Sequence, residues 1–144
     1  MIFRKNFVKE TSIVLFPIFL GIMIYVLYRE PTFNAVNWLG LKESLKNISM
    51  RDNLIDLPNW VVYNLPDGLW MLAFTYLVLF IFEFKFKRNF IFFTLFMPLT
   101  ISLISEIGQS FRFIQGTFDP LDILFYIIGY SLPIILNLKK IDII

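Results

Sequence analysis

Four apolar runs divide the chain, and its polar residues gather between them. The first run is 11–28 (TSIVLFPIFLGIMIYVLY), with no charge inside it. The second is 68–82 (GLWMLAFTYLVLFIF), between Asp67 and Glu83. The third is 89–105 (NFIFFTLFMPLTISLIS), ending at Glu106. The fourth is 123–138 (ILFYIIGYSLPIILNL), which follows Asp122 and stops at Lys139. A helix needs about 20 residues to cross the hydrocarbon of a bilayer. Each run is slightly short, so flanking polar residues complete the crossing or the bilayer thins a little. Pro17, Pro98 and Pro133 lie within runs. Membrane helices tolerate such breaks where neighbours satisfy the freed carbonyls. The first run has a basic front, but Tyr25, Tyr28 and Arg29 follow where a cleavage site would need small residues. It reads as a retained helix.

The segment 30–67 between the first two runs is long and amphipathic. Val36, Trp38, Leu39, Leu41, Leu45 and Ile48 are interleaved with Lys42, Glu43 and Lys46. This pattern predicts a short interfacial helix near 37–48. The predicted fold class is therefore an all-α membrane protein, with four transmembrane helices and that interfacial helix in the first outer loop. It forms a single domain over 1–144.

Composition narrows the function classes. Hydrophobic residues make up 58% of the 144 and charged residues 17%, against about 25% charged in average globular usage. So small a soluble globule cannot bury that much apolar surface. An ordinary soluble enzyme, a disordered tail and a nucleic-acid binder are excluded. The chain has no Cys and no His. This removes disulfides, thiol nucleophiles, Cys or His metal sites and the usual neutral-pH proton carrier. No cofactor is expected.

The net charge of +2 says little, but its distribution orients the chain. With both termini inside, the inner segments hold Arg4, Lys5, Lys9, Lys85, Lys87, Arg88, Lys139 and Lys140 against Glu10, Glu83 and Asp142. The outer segments hold most of the carboxylates. Cytoplasmic loops carry an excess of Lys and Arg, so the reading is a multi-pass membrane protein with both termini cytoplasmic.

Polar residues converge at the outer boundary. Glu106 ends the third run, and Gln109 shares its face if the helix continues. Asp119-Pro120-Leu121-Asp122 reads as a helix start, with Asp as N-cap, Pro at the first helical position and an acid in the first turn. Asn64-Leu65-Pro66-Asp67 reads similarly, with Asn64 as the cap. Glu106 fits a purely structural reading less well, because the dipole at a helix C-terminus disfavours anions. Arg112 or Gln109 is its expected partner. Charge at the edge of hydrocarbon is costly unless partnered, which marks a site. Tyr126 and Gly129 lie four and seven residues beyond Asp122 on one face. They read as packing residues, since small residues let helices approach closely. The candidate binding residues are Glu106, Gln109, Asp119, Asp122, Asp67 and Arg112. No catalytic residue and no metal ligand are assigned.

The segment SEIGQSFRFIQGTFDPLDILFYIIG, 105–129, resembles the VanZ-like family of small bacterial membrane proteins, named for a teicoplanin-resistance accessory protein. Glu106, Gln109, Gly116, Thr117, Phe118, Asp119, Asp122, Tyr126 and Gly129 follow the family's signature in order and spacing. The likeness runs over Asp67 to Leu136 and is strong only from Glu106 to Gly129. It departs where many members have an Asp-Lys pair and then a His. Here Asp67-Gly68 is followed by Met71. Thr117 replaces a common Arg. The resemblance implies a four-helix membrane bundle, a role in the cell envelope and, in one branch, glycopeptide tolerance.

Three function classes follow. In the first, a non-enzymatic membrane protein uses its outer carboxylates to bind an envelope component or a membrane-protein partner. A cationic or hydrogen-bonding headgroup, or a divalent ion, would suit such a cluster. In the second, the chain is a small accessory subunit of a larger membrane complex. In the third, it is an enzyme acting on a lipid-linked substrate, with Glu106 and Asp122 as acid and base. The third lacks an activated nucleophile, because Ser105, Ser110 and Thr117 have no His or Lys nearby in sequence. The last three spans hold no ionisable group at mid-bilayer depth, so the chain lacks the relay a proton pump needs.

Overall fold

The computed structural model describes residues 2–29, 56–86 and 91–143. The interfacial helix expected near 37–48 lies outside the described residues. The described chain is all-helical but for one two-residue bridge. Helix α1 spans Ile2–Tyr28, α2 Asn59–Tyr63, α3 Leu65–Ile81, α4 Ile91–Ser110 and α5 Pro120–Asn137. A 3₁₀ turn, Leu138–Lys140, follows α5. Strands β1 (Lys85–Phe86) and β2 (Asp142–Ile143) then pair in parallel.

Each of the four long helices overruns its apolar stretch at one end, because backbone hydrogen bonding does not stop where hydropathy does. Polar residues supply the extra turns. Helix α4 continues past Glu106 to Ser110, so Glu106 and Gln109 do share a helix. Helix α5 opens at Pro120, with the Asp119 carboxylate accepting from the Leu121 amide at 2.9 Å. That is the capping geometry expected of an Asp-Pro start. Pro17, Pro98 and Pro133 sit inside α1, α4 and α5, which continue through them.

Helix α3 is the central element. It packs closely along α5 and α1 and only lightly against α4. Its inner face buries Met71, Ala73, Thr75, Tyr76 and Leu79. Gly129 of α5 fixes the closest crossing. A Cβ there would lie 2.2 Å from the carbonyl oxygen of Gly68 on α3. Such backbone contact is the packing that small residues permit.

The outward surface is apolar. Phe16 is 67% exposed, Phe93 69% and Leu136 73%. The segments Phe7–Tyr28 and Pro120–Lys140 are each long and apolar enough to cross a bilayer. Helices of this length, with apolar side chains outside as well as inside, fit a membrane protein.

Candidate functional site

The first turn of α3, the C-terminal part of α4 and the start of α5 meet at one end of the bundle. Asn64 is the hub, 2% exposed. The pattern at 64–67 predicts that its side chain caps α3, but the side chain makes no capping bond. Its Nδ2 instead donates to Asp119 Oδ2 and to Asp122 Oδ1, each at 2.8 Å. A buried amide with two carboxylate acceptors gains charge-assisted bonds. Those outweigh the local capping bond.

Glu106 is 3% exposed. The partner expected for it was Arg112 or Gln109. The structure gives a different one, a backbone amide: Asp119 N–H donates to Glu106 Oε2 at 3.5 Å. Gln109 packs against the turn after α4. A Cβ on Gly116 would lie 2.6 Å from its side-chain amide, and Gly116 itself has φ +145°. Only glycine suits that position. Arg112 does not join the cluster. It sits exposed in the turn at φ 60°, and among the described residues no hydrogen bond links it to a carboxylate.

Among the described residues, Arg29 at the end of α1 is the cation that acts on Asp67 and Asp122, a role its position in the sequence does not by itself predict. Its Nε donates to the Val62 carbonyl at 3.1 Å, and its Nη2 donates to the Tyr63 carbonyl. The guanidinium also lies over the Tyr25 and Tyr63 rings, 5.2 and 5.0 Å from their centroids. So held, it stabilises Asp67 and Asp122 through space. A lone Arg closing the first apolar run was the available signal.

The carboxylates differ in electrostatic state. The Asn64 amide and the Leu121 N–H hold Asp119 below the usual carboxylate range. Burial pushes Asp67 up to about 6, helped by the Asp122 and Glu106 charges and opposed by Arg29. Burial also raises Glu106, and the Asp119 N–H opposes the shift. These are the ordinary effects of desolvation, like charge and hydrogen bonding.

An apolar groove of about 350 Å³ runs from the cluster between α3 and α4. Asp67 and Tyr126 stand among its lining with Trp70, Phe74, Met97 and Ile101. Tyr126, expected as packing alone, thus also lines open space. Among the described residues no three carboxylates are disposed to hold a metal ion. The divalent-ion version of the site therefore lacks geometric support. Comparison with protein-family models, with curated proteins and with solved structures finds no match.

Proposed function

We propose that the chain is a VanZ-like, four-span protein of the bacterial cytoplasmic membrane. Its outer carboxylate cluster binds an envelope component without catalysing a reaction. Glu106, Asp119, Asp122 and Asp67 provide the negative field, and Gln109 supports the turn beside it. Arg112 is left out of the binding set.

One observation carries this reading: Asp67 lines an apolar groove and lies within the field of the Asp122 and Glu106 carboxylates. Among the described residues Arg29 is the cation placed to offset Asp67 and Asp122, and carbonyls and aromatic rings already hold it. An amphiphile with a cationic or hydrogen-bond-donating head would answer both features. Its head would meet the acids, and its chain would follow Trp70, Phe74 and Ile101. The sequence resemblance to VanZ-like proteins supports the envelope setting. A role in glycopeptide tolerance is part of the same proposal.

Native mass spectrometry after gentle detergent extraction tests it, with wild type beside Glu106→Gln. The expected result is a bound amphiphile on the wild type, reduced about tenfold or more in the variant, as for loss of a charge-assisted contact. Identical bare spectra from two equally folded proteins would assign the carboxylates to helix capping and packing.

A further inference from the structure

A second cavity, of about 260 Å³, lies at the opposite end of the bundle between α1, α3 and α5. Its polar lining is Lys9, Glu10, Tyr76, Asn137 and Lys140. Its apolar lining includes Ile13, Leu72, Leu132 and Leu136. The Tyr76 hydroxyl donates to the Glu10 carboxylate, so the one anion in the lining already has a donor. The Asn137 amide donates to the Pro133 carbonyl at 2.9 Å. Neither lysine pairs with a carboxylate among the described residues. Lys140 Nζ rests 5.1 Å from the centroid of the Phe84 ring, which supports an ammonium without using its N–H donors against an anion. Two lysines therefore share the lining with one hydrogen-bonded carboxylate and a wall of aliphatic side chains.

We propose that this cavity binds the phosphate of an anionic phospholipid, with Lys9 and Lys140 as its counter-charges. The acyl chain lies along Ile13, Leu72, Leu132 and Leu136. Charge complementarity selects an anion, and the apolar wall below the lysines selects one carrying a hydrocarbon tail. The cavity holds a headgroup and the first part of a chain, leaving the remainder in the surrounding bilayer. Basic side chains at a membrane surface attract anionic lipid. Here a cleft adds shape to that attraction. The inference rests on the membrane reading above and concerns the end of the bundle opposite the carboxylate cluster.

Carbonate washing of membranes comes first. A chain released by it fails the membrane reading, which is a different result from failure of the lipid site. Detergent-solubilised protein is then titrated with phosphatidylglycerol or phosphatidylcholine and read by native mass spectrometry. Wild type is expected to prefer phosphatidylglycerol. The pair Lys9→Gln/Lys140→Gln is expected to lose about tenfold of that affinity, and the pair Lys9→Arg/Lys140→Arg to keep it. Glu10→Gln is expected to tighten binding, a direction that a misfolded variant would not give. Equal binding of the two lipids, or an unchanged glutamine pair, overturns the proposal. Displacement of phosphatidylglycerol by millimolar inorganic phosphate overturns the lipid assignment in favour of a free anion.

Discussion

Burying a carboxylate beside other carboxylates leaves a thermodynamic signature, and Asp67 is the residue at which to read it. Its pKa lies near 6 when folded, above its ordinary value of 3.8. The folded state therefore holds the proton more tightly than the unfolded chain does. Below about pH 3 both states are protonated and burial has no ionic cost. As pH rises towards 6 the unfolded chain ionises first and folding loses stability. Above 6 the loss is complete. Asp67→Asn keeps the shape and removes the charge. It is expected to be more stable than wild type by about 3 kcal/mol at pH 8, from a shift of about two units. The two proteins are expected to converge at about pH 3. Thermal unfolding in detergent at both pH values measures this. A variant no more stable at pH 8 would show that Arg29 already compensates the charge. Asn64 teaches the complementary lesson. Its sequence neighbourhood reads as a helix cap, because capping is a local pattern. Its actual partners, Asp119 and Asp122, lie 55 and 58 residues away. No local signal announces a bond of that separation.

At the scale of elements, the four apolar runs located the long helices because a run of that length has few other uses. Their ends were less legible, since charge marks where hydrocarbon stops and not where a helix does. The Asp119 start was readable because its capping bond is made two residues away. The α3–α5 crossing was legible only as a tendency. Gly129 has helical spacing from Asp122, but sequence does not name Gly68 as the backbone it meets. Gly129→Ala is expected to cost about 2–3 kcal/mol, because a Cβ 2.2 Å from a carbonyl oxygen must push two helices apart. Gly108→Ala on α4 is the control. Its Cβ would meet Ile114 Cδ1 at 2.7 Å, the far end of a flexible side chain. Its cost is expected to be offset in part by the better helix propensity of Ala, worth up to about 1 kcal/mol. Equal losses in the two variants, by thermal unfolding, would mean that the α3–α5 approach is not a tight constraint.

At the scale of the whole molecule, geometry and charge make the same division. Phe84 O accepts from Asp142 N at 2.8 Å, and β1 pairs with β2, so the turn after α3 and the end of the chain share one end of the bundle. The Tyr76–Glu10 bond brings the N-terminal part of α1 to that end as well. Lys9, Lys85, Lys139 and Lys140 belong to these segments. The opposite end carries the turn between α4 and α5 and the carboxylates around Asn64. A bilayer between the two ends would place basic groups on one face and acids on the other, as the bias towards cytoplasmic Lys and Arg requires. The chain has no native Cys, so single cysteines report position without background. Asp56→Cys and Gln115→Cys replace exposed residues of the acidic end, and Glu83→Cys and Asp142→Cys replace exposed residues of the basic end. In intact cells a membrane-impermeant maleimide is expected to label the first pair alone, and to label the second pair only after permeabilisation. The reverse pattern would invert the orientation and move the lysine-lined cavity to the outer leaflet. Labelling of all four in intact cells would remove the bilayer from between the two ends, and with it the four-span arrangement.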